Sequence, residues 1–160
     1  MWLEDLNAAD RAAAERALLQ CWGSTRWARA MAAARPFASA DALHAKADET
    51  MAALAREDWL EAFAAHPRIG DREAGGAGRG WSQQEQAGVE DASRARLAAA
   101  NREYEARFGY IHIVCATGKT GDEMLAILER RLCNDAQTEI RVAAGEQRKI
   151  THLRLDKLLQ

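Results

Sequence analysis

The sequence predicts an all-α fold, a single compact helical domain of roughly seven to ten helices over residues 1–160. Three observations predict it. Alanine is abundant, β-branched residues are few and there are only 2 prolines, a composition that favours helix. Apolar residues recur at helical spacing behind residues able to cap a helix. Just one run, Tyr110-Ile111-His112-Ile113-Val114-Cys115-Ala116, reads as β, and alone it suits a buried extended segment better than a sheet.

The elements follow in order. Asn7 can cap a first helix from Ala8 to about Cys21, with Leu18 and Leu19 on its buried side, and Gly23 ends it. Ser24 can cap a second, carrying Trp27 and Met31 and closed by Arg35-Pro36. Ser39 caps a third, Ala40 to about Ala55, with Leu43, Met51 and Leu54 at helical spacing. Asp58 starts a short helix holding Trp59, Leu60 and Phe63, which runs into His66. Pro67 stops it, having no N–H and disfavouring the α region for the residue before it. From Asp71 to Gly80 the chain reads DREAGGAGRG, a glycine-rich connection able to cover a site. With no lysine–threonine pair after it and no strand before it, it is not a phosphate loop.

Trp81 opens a long helix to about Ala100, continued from Asn101 to Phe108 and stopped by Gly109. After the extended run, Thr117-Gly118-Lys119 is a turn. Thr120 and Glu123 have capping-box spacing for a helix through Leu125, Leu128 and Leu132. Asn134 and Asp135 start the last helix, past Ile140, Ile150, Leu153 and Leu155. No internal repeat appears.

Composition excludes several function classes. Lys+Arg number 22 against 24 Asp+Glu, a formal charge of −2, so no nucleic-acid partner is expected. Arginine far outnumbers lysine, which suits carboxylate recognition. Cys21, Cys115 and Cys133 are widely spaced and read as reduced thiols of a cytoplasmic protein. The acidic start Met1-Trp2-Leu3-Glu4-Asp5 has no long apolar run, so neither a signal peptide nor a membrane span is expected. No H-E-x-x-H, H-x-H or Cys/His cluster occurs, so no metal site is expected. No G-x-S-x-G elbow marks a serine hydrolase.

The candidate chemistry gathers at three places. His66 lies at a stiff corner at a helix C-terminus, whose negative dipole end favours imidazolium. It can hold a proton for donation, or simply cap the last carbonyls. Ser82, Glu85 and Gln86 stand in the first turn of a helix. S-x-x-E there is a capping box, and spacing alone favours that reading over side chains aimed at a ligand. The third place is the extended run ending at Gly118. His44 and His152 read as helix positions and His112 as core.

HPRIG, WSQQEQAGV, NREYEARFGYIHIVCATGKT, RRLCN with Glu146 downstream, and KITHLRL together resemble the OHCU decarboxylase family. The resemblance runs from the first helix to Leu155. It implies an all-helical enzyme with no cofactor that converts a small ureidoimidazoline, 2-oxo-4-hydroxy-4-carboxy-5-ureidoimidazoline (OHCU), to S-allantoin and CO2 in urate breakdown. It also implies a homodimer. By motif, His66 and Glu85 are its catalytic pair, and Pro67, Ser82, Gln86, Val114, Gly118 and Arg154 its substrate-binding set. The ending Lys157-Leu158-Leu159-Gln160 carries no peroxisomal tripeptide, which suits a bacterial cytoplasmic member. Two alternatives stand beside this reading: a helical interaction module without enzymatic activity, and a hydrolase of a related ureide.

Overall fold

A computed structural model describes residues 1–67 and 91–160, with the side chains of 91–93 excepted. Eight helices lie among the described residues: α1 (Leu3–Ala8), α2 (Arg11–Cys21), α3 (Thr25–Ala33), α4 (Ala40–Ala52), α5 (Arg56–Ala64), α6 (Asp91–Phe108), α7 (Gly121–Arg131) and α8 (Ala136–Leu158). No strand occurs among these residues, so the fold is all-α. The helices fall into two compact units, Met1–Ala62 with Arg148–Gln160, and Phe63–Gln147.

In the first unit most of the expected caps are made. Ser24 Oγ accepts from the N–H of Trp27 and Ser39 Oγ from that of Ala42. Asn7 is the exception. It lies inside α1, and the chain breaks at Ala9 before Asp10 caps α2 by accepting from Ala13 N–H at 2.8 Å. Asn7 instead grips the backbone of Phe37, donating to its carbonyl and accepting from its N–H, both at 2.9 Å. Arg35 completes the junction by donating to the carbonyls of Leu6 and Ala9, each at 2.7 Å. These are α1 C-terminal acceptors with no partner within the helix. The helix holding Trp59 begins at Arg56, two residues before Asp58, whose carboxylate accepts from Ala55 N–H.

The core of this unit holds Leu6, Leu18, Trp22, Trp27, Met31 and Leu43, all fully buried. Trp22 stands edge-on to Trp27 and Trp59. Outside it, α4 and α8 are joined by two crossed pairs. His44 Nε2 donates to Asp156 and His152 Nε2 to Asp48, both at 2.7 Å. Each helix supplies a histidine and an aspartate four residues apart, which puts them on one face. The crossing order makes the two helices antiparallel. Burial pushes the Asp48 carboxyl up, but its hydrogen bonds with His152 and Arg148 outweigh this and hold it below its usual range.

In the second unit α6 ends at Gly109, whose φ of +85° and N–H bond to Glu105 carbonyl form a left-handed helix stop. Residues 111–116, expected to be extended, then carry no regular secondary structure and pair with no strand among the described residues. Thr120 caps α7 by accepting from Glu123 N–H, and Asp135 caps α8 by accepting from Thr138 N–H. Between them Arg131 Nε donates to both oxygens of Glu139 at 2.9 Å. Glu139 Oε2 also accepts from the Tyr104 hydroxyl at 2.8 Å. Burial pushes that phenol up, so Tyr104 is a neutral donor.

Two predictions follow from these pairings. Arg131 and Glu139 have 6% and 0% side-chain exposure. Arg131→Met should therefore strand a buried carboxylate and cost about 3–5 kcal/mol by denaturant unfolding. Adding Glu139→Leu should recover part of that loss. Asp48 titrates lower folded than unfolded, so its contribution is full above its unfolded value and is lost as pH falls through the folded one. The stability of the native chain should drop more steeply than that of Asp48→Asn below about pH 4, read as urea midpoints across an acid series.

Candidate functional site

Apolar α5 residues deliver the chain to His66. Phe63 is fully buried and its ring lies 5.3 Å from that of Tyr110. The helix itself ends at Ala64, and His66 sits in a bend beyond it, its N–H donating to Phe63 carbonyl at 3.2 Å. Pro67 is buried next to it. The expected corner is therefore present, with His66 just past the final turn rather than in it. Proline explains the difference, because the residue before it avoids helical geometry.

The half-buried His66 ring meets a residue that motif reading did not single out. Its Nε2 donates to Gln147 Oε1 at 2.6 Å, and Gln147 is fully buried in α8. An amide oxygen can only accept, so the ring hydrogen lies on Nε2 in this arrangement.

The extended segment is the second feature of this unit. Among the described residues no strand ladder satisfies its backbone groups, and side chains take that part. Arg131 Nη1 donates to Ile113 carbonyl. Glu146 Oε1 accepts from Cys115 N–H at 3.2 Å, and Lys119 Nζ donates to Cys115 carbonyl at 2.7 Å. Val114 between them is 3% exposed. Gly118 lies in the exposed turn after the segment at a φ of +77°, a conformation that favours glycine. His112 is a core residue, as expected: burial, helped by the charge of Arg131, holds it well below its ordinary range, and its ring stands edge-on to Tyr104.

The remaining candidates divide. Arg154 belongs to the first unit, 3% exposed on α8. Its charge opposes a larger effect of burial on the Cys21 thiol, which is pushed up to about 12 and is inert at neutral pH. Ser82, Glu85 and Gln86 lie outside the described residues, as does the glycine-rich stretch 71–80. Among the described residues no cluster of three or more His, Cys, Asp or Glu side chains is arranged to hold a metal ion, and no helix is long and apolar enough to cross a membrane.

A signal for Gln147 existed in the sequence. Glu139, Ala143, Gln147, Ile150, Thr151, Arg154 and Leu158 form one buried stripe along α8. Polar residues in that register must find partners inside the fold. Naming the partner of Gln147 required the fold, because His66 is 81 residues away.

Comparison with known proteins agrees with this architecture. The profile of the OHCU decarboxylase family matches residues 7–156. The chain is 39% identical over 145 residues to the uric acid degradation bifunctional protein TTL of Arabidopsis thaliana, covering 86% of this chain and 45% of that protein. It thus spans less than half the length of that relative. It is 30% identical over 160 residues to the 2-oxo-4-hydroxy-4-carboxy-5-ureidoimidazoline decarboxylase of Haloferax volcanii, covering 96% of this chain and 93% of that one. Among solved structures it is similar to an OHCU decarboxylase crystallised in the presence of (S)-allantoin. The TM-score is 0.79 at 34% identity, covering 90% of this chain and 97% of the other. The helical order, the His-Pro corner, the extended segment and these matches have one common reading: the chain belongs to the OHCU decarboxylase family.

Proposed function

We propose that this chain decarboxylates OHCU to S-allantoin and CO2 in urate breakdown, with His66 carrying the proton. The observation that carries the reading is the family match over residues 7–156, which includes the corner where His66 meets the buried amide of Gln147. A relative solved in the presence of (S)-allantoin supports the choice of product.

The substrate brings its own electron sink, so no cofactor is required. Its departing carboxylate sits on the carbon that bears the hydroxyl, beside a ring C=N. As the carbon–carboxylate bond breaks, its electron pair forms a C=C bond to the neighbouring ureido-bearing carbon. The C=N pair moves onto nitrogen, which takes up a proton. CO2 leaves and an enol remains. Collapse of the enol to the ring carbonyl releases the hydroxyl proton and places a new proton on the ureido-bearing carbon. Delivery to one face gives one enantiomer. His66 and Glu85 are the proton-handling pair in this scheme. Gln86 and backbone N–H groups steady the developing charge. Arg154 orients the anionic substrate by a bidentate contact, and Pro67, Ser82, Val114 and Gly118 complete the binding surface. In this reading residues 1–160 act as one catalytic domain of a cytoplasmic homodimer.

The reaction is tested by adding the protein to fresh products of urate oxidation. OHCU absorbance should decay faster than spontaneously, with circular dichroism of S-allantoin growing in. Racemic product at the spontaneous rate would sink the assignment and favour a non-enzymatic module. His66→Ala should lower turnover by roughly 10²–10⁴ while leaving helical dichroism unchanged.

Glu85→Gln separates catalysis from capping. Glutamine is accepted at the third helical position of a capping box, so the variant should melt within a few tenths of a kcal/mol of the native chain, the size of a lost dipole contribution. If the carboxylate handles a proton, turnover falls by about 10² or more. Normal melting with normal turnover would leave Glu85 as a cap. Ser82→Ala, the companion variant, should cost about 1 kcal/mol as a lost cap.

A further inference from the structure

We propose that Gln147 is a positioning residue for His66, setting the orientation and tautomer of its ring for the proton step. The inference rests on the reading above, in which His66 carries the proton.

Three observations support it. The Nε2 to Oε1 distance is 2.6 Å, and Gln147 is fully buried on a 23-residue helix. A buried amide on a long helix is a fixed reference, whereas the histidine lies in a bend outside any helix. The residue before it, Glu146, accepts from Cys115 N–H at 3.2 Å. Consecutive helical residues point about 100° apart, so one position on α8 addresses both the corner and the extended segment that holds Val114. The partner is also uncharged. A carboxylate at the same place would favour imidazolium and hold its proton back. An amide selects one ring nitrogen as donor and does not titrate, so it orients the ring without adding a charge that competes for the proton.

The test uses protein labelled with ¹⁵N at its four histidines, with the His66 signals assigned by their loss in His66→Ala. The native ring should show the Nε2–H tautomer. Gln147→Met should shift the His66 ring nitrogens toward a mixed tautomer. It should also lower kcat by about 10- to 100-fold, the loss seen when the partner orienting a metal-bound histidine is removed, with a smaller change in KM. Gln147→Glu should raise the His66 titration midpoint by about one unit or more, and the pH–rate profile should move with it. A folded Gln147→Met with the native tautomer and native kcat would overturn the proposal. So would a Gln147→Glu protein whose His66 midpoint does not move, or moves without the rate profile following. If Gln147→Glu does not fold, the Gln147→Met measurements decide alone. Native protein without OHCU turnover would sink the decarboxylase reading on its own, while the ring-nitrogen shifts still decide whether Gln147 sets the tautomer.

Discussion

An extended stretch of backbone buried among helices is the constraint from which the second unit follows. Residues 111–116 carry N–H and C=O groups that no strand among the described residues meets. An unmet buried backbone group costs about 1–3 kcal/mol. Arg131 addresses this by joining Ile113 carbonyl to the buried carboxylate of Glu139. The same carboxylate accepts from Tyr104, so α6, α7, α8 and the extended segment meet at one charged pair. A buried ion pair is weak evidence for net stability, since desolvation opposes the Coulomb gain. Its consequence here is geometric: the arginine fork, the carboxylate and the carbonyl have few mutually satisfying arrangements, which fixes the register of the segment carrying Val114.

The polar stripe of α8 extends that logic along one helix. Glu139 closes the Arg131 network, Gln147 meets His66, and Arg154 is buried near the Cys21 thiol. A helix that only packed would place aliphatic residues at all these positions. Each polar substitution into the buried register gives up some apolar burial and gains a specified neighbour. Glu146, beside the stripe and half-buried, adds a tie to Cys115 N–H. The part of the C-terminal helix up to Gln147 is thus the element against which less regular segments of the second unit are located.

What the sequence revealed and what it hid divides along the range of the interaction. Ser24, Ser39, Thr120 and Asp135 each satisfy the N–H group three residues ahead, so their side-chain chemistry and spacing were enough. Gly109 ended its helix by the same local logic. Asn7 was misread because two capping residues stand three apart with neither Gly nor Pro between them. What decides between Asn7 and Asp10 is Phe37, 30 residues away, whose backbone takes the Asn7 amide. Of the site, the His66–Pro67 corner was legible from proline stereochemistry and the segment through Val114 from its isolation. The Gln147 partner and the Arg131 network were not, because each joins residues distant in sequence or separate in pattern. Motif resemblance reached further than periodicity, since Ser82, Glu85 and Arg154 carry no local physical signal that separates a ligand contact from a cap or a packed arginine.

The chemistry proposed for this chain gives a reason for a neutral partner, the Gln147 amide, on the His66 ring. With the electron sink inside the substrate, the protein has little bond-making to do. Its task is placement of a proton donor and exclusion of the wrong face. Placement asks for rigid, directional contacts, which a buried amide supplies without adding charge. A carboxylate in the place of Gln147 would lower the readiness of His66 to give the proton, because hydrogen bonding to the charged form stabilises that form. The anionic substrate already brings charge of its own into the site. On α8 the amide of Gln147 meets the ring and the adjacent carboxylate of Glu146 meets a backbone N–H, so orientation and charge are separate functions of adjacent residues.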